Sequence, residues 1–328
     1  MKRFVAEHSA LFILAALCIA LGLYSPEFRG AGNLQNVAQR TTVVGVIALG
    51  ELLVVLTGGI DLSVGSIAAL SGVAGCMAML KTQALLAAAL PPDSALLPPL
   101  VVAAGVVVGV LAGFVCGMIN GLLATRGRIQ PFIATLGMMM AARGMTMVVS
   151  GQMPVYGLPK SFAWLGGTRA WWVPVALMCV FAAVFALLLV YTRFGRGLYA
   201  VGGNTEAARL SGIPVDRVRT AAFAISGTMA GFAGMMLASR ASVASPNAAE
   251  MYELDAIAAC VIGGASLAGG VGGAVAAVAG ALIMSVLYNF CTLQNVSPDW
   301  QKVLVGALLI TLVFYDNWRR RSAGVLKD

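Results

Sequence analysis

Charge is what this sequence has least of. Asp, Glu, Lys and Arg make up 10% of its 328 residues, where a soluble domain carries roughly 25%. Hydrophobic residues make up 60%, and the mean hydropathy is +0.91. That composition excludes a water-soluble globule and reads as an all-α integral membrane protein. Acid is scarcer than base, 13 residues against 21. The resulting charge of +8 lies in short loops between apolar runs, so it implies no nucleic-acid partner. Histidine is nearly absent. His8 stands alone, which excludes a His-based triad within the apolar runs.

Motifs of bond-making chemistry are missing too. No lysine follows a glycine anywhere, so there is no GxxxxGK[ST] phosphate loop and no ATPase of the chain's own. HExxH and GxSxG are absent, which argues against a membrane hydrolase. The six cysteines (Cys18, Cys76, Cys116, Cys179, Cys260, Cys291) show no CxxC spacing. They read as buried structural thiols, with no metal site and no disulfide framework. The apolar runs lack the dense carboxylate or histidine relay of many proton-driven carriers. The chain is expected to bind no cofactor and to carry no catalytic residues.

What is present is a series of apolar runs of membrane-crossing length, roughly 20 residues each. The first, Ser9 to about Leu23, follows Met1-Lys2-Arg3 and has no small-x-small cleavage site behind it, so it is expected to stay as an uncleaved span. A block from Thr41 to Leu80 is too long for one helix and is interrupted at Thr57–Ser63, giving spans two and three. Behind a loop with Pro91, Pro92, Pro98 and Pro99, span four covers about Leu100–Ala124, span five Pro131–Val149 and span six Trp171–Tyr191. Span seven runs from about Thr220 to Ala238. A second block, Leu254 to about Phe290, is broken at Gly263–Gly270 and gives spans eight and nine, and span ten covers about Lys302–Tyr315. With the N-terminus inside, thirteen basic residues fall in inside segments and seven outside, Arg143 being the remaining one, within span five. The positive-inside rule therefore puts both termini in the cytoplasm.

The longest clearly polar segment between two spans is Arg193–Arg219, expected to be a cytoplasmic loop within one polytopic domain, residues 1–328. Inside it, Asn204–Gly212 reads as a short helix. Asn204 or Thr205 caps it, Glu206 lies in its first turn, and Gly212 followed by Pro214 ends it. About nine helical residues reach only ~13 Å, too short to cross but long enough to dock sideways on a partner.

The two Gly-rich breaks bring polar chemistry into the membrane. Asp61 reads as the N-cap of the helix after the first break, and the glycines as close packing points. The same stretch also reads as the flank of a pathway, because non-helical backbone at membrane depth is tolerated only where it is buried or lines a cavity. Asp61, Ser63, Ser66, Asn120 and Ser266 are the path candidates. Asn120 either bonds across helices or lines the exit. Glu51 and Arg143 are expected to form a buried pair between spans two and five, since a charge inside a span needs a partner.

Three stretches carry a resemblance: Leu56–Gly65 (LTGGIDLSVG), Gly203–Gly212 (GNTEAARLSG), and Glu253–Ala259 (ELDAIAA) through Gly263–Gly270 (GGASLAGG). In this order they resemble the permease subunits of bacterial ABC importers for monosaccharides, in the ribose, xylose, arabinose and galactose branch. The resemblance implies an inner-membrane permease homodimer surrounded by lipid, cytoplasmic ATP-binding cassettes that hold the ATP and magnesium, and a periplasmic sugar-binding protein. It places the family's ATPase-coupling loop on Glu206, Ala207, Ala208 and Gly212, although the Ile-x-Leu-Pro that follows in other importers is absent. It implies alternating access, with a pentose such as ribose or xylose as cargo. A self-sufficient secondary carrier for a small polar solute is the rival reading.

Overall fold

The computed structural model describes residues 9–87 and 94–322. Lys2, Arg3, His8, Pro91, Pro92 and Lys327 lie outside the described residues. Among the described residues the chain folds into twelve α-helices: α1 (Ser9–Tyr24), α2 (Ala31–Leu56), α3 (Val64–Ala87), α4 (Leu97–Thr125), α5 (Pro131–Ser150), α6 (Trp172–Tyr191), α7 (Arg193–Gly203), α8 (Thr205–Leu210), α9 (Val215–Ala241), α10 (Tyr252–Ile262), α11 (Ala274–Leu293) and α12 (Pro298–Ser322). Short 3-10 turns at Glu27–Arg29 and Lys160–Trp164 and one isolated bridge, Val155 to Ala244, complete the described residues.

Helix α2 is the axis of the fold. Every residue from Thr41 to Leu56 is buried, the behaviour of a helix that is apolar all round. Against it pack α9, α10 and α11. Helix α9 in turn makes its most extensive contact with α4, and the sequence shows why. Gly105, Gly109, Gly113, Gly117 and Gly121 recur every fourth residue of α4 and are all buried, so they form one stripe. At Gly113 and Gly227 a side chain on either helix would run into the backbone of the other. Such small-residue seams let membrane helices approach closely enough for dispersion to hold them together. The opposite face of α4 exposes Val107, Leu111, Phe114 and Val115 and suits lipid.

Among the described residues, seven helices are long and apolar enough to cross a membrane: α2, α3, α4, α5, α6, α9 and α11. Expected spans one, eight and ten are not in that set. Helix α1 has 16 residues and α10 only 11, the latter about 16 Å of helix against a hydrocarbon core of about 30 Å. Helix α12 shares its apolar stretch with Asp299 and Lys302 at one end and Arg319–Arg321 at the other. The polar segment also differs from a loop. Residues 193–203 form helix α7, and α9 begins at Val215, five residues before the expected start of span seven. Nor are the thiols uniformly buried: Cys76 and Cys260 are, whereas Cys179 is exposed on α6, and all six are free.

Candidate translocation and coupling site

The first break is a reversal of the chain. After α2 it turns at Thr57-Gly58, where Gly58 takes a φ of +77°. It then returns to the level of Glu51, whose Oε1 accepts the Asp61 backbone N–H at 3.1 Å. The Asp61 carboxylate collects the next donors. Its Oδ1 accepts the Ser63 N–H at 3.0 Å and the Ser63 hydroxyl, and its Oδ2 accepts the Ser226 hydroxyl at 3.3 Å. Asn120 donates to the Ser63 hydroxyl oxygen at 2.8 Å, and Thr135 donates to the Ile60 carbonyl at 3.2 Å. Side chains of α2, α4, α5 and α9 thus converge on seven residues of non-helical backbone. Asp61 acts there through a turn onto Ser63, not as a direct cap on the first turn of α3. Glu51, Asp61, Ser63 and Asn120 are wholly buried, and Ser66 lies one turn further on, 2% exposed. Glu51 Oε2 and Asn120 Oδ1 have no hydrogen-bond partner among the described residues.

Glu51 and Arg143 do not meet. Arg143 donates to the Pro246 and Ala248 carbonyls at 2.8 and 3.0 Å, and the carboxylates in its electrostatic reach are Glu253 and Glu250. The reason is depth. Thr135 of α5 sits beside the first break, and Arg143 lies eight residues further along, about 12 Å at 1.5 Å per residue. Arg143 therefore ties down the loop before α10, while Glu51 belongs to the Asp61 cluster.

The second break joins α10 to α11 as an antiparallel hairpin. The helices are so close that a side chain at Gly263 would strike Ala276 and one at Gly280 would strike Ala259. Within the break, Ser266 N–H donates to the Val271 carbonyl at 3.0 Å. Ser266 lies here in the second break, 3% exposed, whereas the Asp61 cluster is built on the first. The two breaks touch each other: Gly270 N–H donates to the Leu56 carbonyl at 3.0 Å, and Gly58 abuts Ala268.

Helix α7 rests on this junction. Gly202 lies against both the Leu56 carbonyl and the Gly270 N–H, leaving no room for a side chain, and the Tyr199 hydroxyl donates to the Gly272 carbonyl at 2.8 Å. Burial pushes the Tyr199 phenol up. Thr192 caps α7 by accepting the Gly195 N–H at 3.0 Å, and Asn204 caps α8 by accepting the Ala207 N–H at 2.9 Å. Glu206 lies in the first turn of α8, and Gly212 closes it at φ +80°. Glu206, Ala207 and Gly212 face outward while Ala208 is buried. Leu210 projects with 89% of its surface exposed. Arg219 of α9 donates to the Thr205 hydroxyl at 3.1 Å and ties α8 to the body of the fold.

Sequence reasoning missed Leu210 and a second polar group at the far end of α2. There Arg40 stacks over the Tyr288 ring, 4.2 Å from its centroid, and the Tyr288 hydroxyl donates to Asp255 Oδ1 at 2.9 Å. Asp255 stood only as one letter of a motif. The available signal was an acid three residues into a helix start within an apolar block.

A family model described as branched-chain amino acid transport system / permease component matches residues 33–313. The ribose import permease protein RbsC of Escherichia coli (strain K12) is 40% identical over 324 residues, covering 96% of this chain and 95% of that protein. RbsC of Bacillus subtilis (strain 168) is 40% identical over 319 residues, 95% and 92% of the two chains. The L-arabinose ABC transporter permease protein AraH of Azospirillum brasilense is 36% identical over 327 residues, 99% and 91%. No solved structure matches. The family description names amino acids, whereas these nearly full-length relatives are sugar permeases. Buried breaks, apolar spans and an exposed capped helix on one end agree with both levels of likeness, and the chain belongs to this family of ABC-importer permeases, in its sugar-transporting branch, as a multi-pass inner-membrane protein.

Proposed function

We propose that this chain is the membrane-crossing half of an ATP-driven, binding-protein-dependent pentose importer, with ribose, arabinose or xylose as cargo. The relatives named for ribose and arabinose support the pentose. One observation carries the coupling role: α8 is exposed, and α7 beside it contacts both breaks through Gly202 and Tyr199. A second copy completes the path, and cytoplasmic cassettes hold the ATP and magnesium. The chain itself supplies no ATPase chemistry.

In this reading α7 and α8 mark the cytoplasmic end and both termini lie there. The seven long helices, with α1, α12 and the α10 half-helix extended by its Gly-rich segment, make about ten crossings. Closure of the cassettes on ATP displaces α8 through Glu206, Ala207, Ala208 and Gly212. Helix α7 passes the motion to the contacting breaks, so a single displacement moves the ends of α2 and α10 together. Asp61, Ser63, Ser66, Asn120 and Ser266 line or gate the route. Hydroxyls and amides there suit a neutral polyol that must bind weakly enough to leave.

The test is gentle-detergent capture of the tagged chain from its native membranes. A cassette ATPase and a second, differently tagged copy are expected in the eluate. Recovery of the chain alone, together with sugar movement down an ion gradient by that chain in liposomes, would establish a secondary carrier instead.

A further inference from the structure

We propose that the cleft between α2, α10 and the α11–α12 turn is a vestibular binding site for one neutral monosaccharide, with Asp255, Tyr288 and Gln301 meeting the sugar hydroxyls. The proposal rests on the importer reading for its cargo and goes beyond it in naming the site. The cleft measures about 560 Å³ and is lined by Arg40, Glu250, Tyr252, Asp255, Tyr288, Gln301 and Lys302 among others. That size falls within the roughly 300–1,000 Å³ of small-molecule sites.

Its chemistry fits a polyol. Asp255 is 2% exposed. Tyr288 donates to its Oδ1, and a carboxylate has more acceptor sites than that one bond uses, which leaves capacity for a sugar hydroxyl. Gln301 is held by its own bond to the Val296 carbonyl at 2.9 Å, so its amide is oriented before any ligand arrives. Arg40 fixes the Tyr288 ring from one side, and Tyr252 supplies a second aromatic surface for the C–H face of a sugar ring. The lining carries two cations, Arg40 and Lys302, and two anions, Glu250 and Asp255. That balance favours a neutral ligand over an ion.

Its place in the fold fits delivery. Arg40 lies sixteen residues before Leu56, about 24 Å along α2, so the cleft opens at the end opposite α7. Helix α10 begins in the cleft at Tyr252 and runs into the second break, which touches Gly202 of α7. One short helix therefore connects the cleft to the element that faces the ATPase.

Saturation-transfer NMR on the purified full chain in lipid nanodiscs tests this, with D-ribose and L-arabinose as probes. Transfer to the ring C–H protons is expected from the parent chain. It should fall about fivefold, the equivalent of one lost hydrogen bond, in each of Asp255→Asn, Tyr288→Phe and Gln301→Ala. Gln301→Ala is the safeguard against misfolding, because its side chain is partly exposed and lies outside the buried core. No transfer from the parent at tens of millimolar sugar would overturn the proposal, as would transfer from all three variants undiminished relative to the parent. Failure of the importer reading shows separately, as a missing ATPase in the membrane capture, and leaves a sugar-dependent signal standing.

Discussion

At the scale of residues, the centre is a carboxylate stabilised without a cation. Among the described residues Asp61 has no ion-pair partner, and donors from Ser63 and Ser226 surround it. Removing it strands several buried donors, each costing about 1–3 kcal/mol. Asp61→Ala is therefore expected to lower stability by about 2–4 kcal/mol, with Asp61→Asn milder because the amide oxygen still accepts. Thermal unfolding in one detergent, read on equal amounts of inserted protein, measures the difference. Arg143 makes a contrasting case. Sequence shows two opposite charges in apolar spans and invites pairing them, but it does not show depth. The structure puts Arg143 about 12 Å of helix rise beyond Thr135, the α5 residue at the first break, so a Glu51→Gln, Arg143→Met cycle is expected to be additive within about 0.5 kcal/mol. The Arg143→Met, Glu253→Gln cycle should show coupling of about 1 kcal/mol. An additive result for the second pair would mean that Arg143 acts only through the Pro246 and Ala248 carbonyls.

At the scale of elements, what the sequence revealed and what it hid have separate physical causes. The caps of α8 and the two breaks were legible because Asn, Gly and Pro dictate local backbone geometry. Helix α7 was not. Four of its eleven residues are glycine, at roughly 1 kcal/mol each below alanine in helix propensity, and the segment reads as a loop. Tertiary contact overrides that cost, since Gly195 and Gly197 are buried and Gly202 fits only as glycine against Leu56 and Gly270. The cleft around Asp255 was hidden for a related reason: its members come from three separate stretches of sequence, at Arg40, Glu250 to Asp255 and Tyr288 to Lys302. Gly202→Val is accordingly expected to insert normally yet separate the breaks from α7, so that sugar uptake per ATP hydrolysed falls at least about tenfold, equivalent to some 1.4 kcal/mol of lost coupling. Gly212→Ala should be gentler, costing about 1 kcal/mol for its φ of +80°. Uptake and hydrolysis measured together in proteoliposomes distinguish the two. Uptake by Gly202→Val that still tracks hydrolysis would remove α7 from the coupling route.

At the scale of the whole molecule, everything depends on which end faces which side. Arginines concentrate around α7, α8 and the start of α9 (Arg193, Arg196, Arg209, Arg217 and Arg219), and cytoplasmic segments carry the basic excess. Leu210, bare at that end, is the apolar side chain an ATPase groove would cover. The opposite end holds the charge-balanced cleft and the α11–α12 turn. Two single substitutions settle the orientation. Ser211→Cys beside the coupling helix and Asn295→Cys on the α11–α12 turn are both exposed positions. A membrane-impermeant maleimide is applied to cells with a permeabilised outer membrane, and mass spectrometry reads the modified position. Asn295→Cys is expected to label before lysis and Ser211→Cys only after it. Adding Leu210→Ser to the second chain should weaken capture of the cassette without changing which side the label reaches, which separates docking from topology. The reverse labelling order would place α8 outside, beyond the reach of any cytoplasmic ATPase, and the coupling role would fall with it.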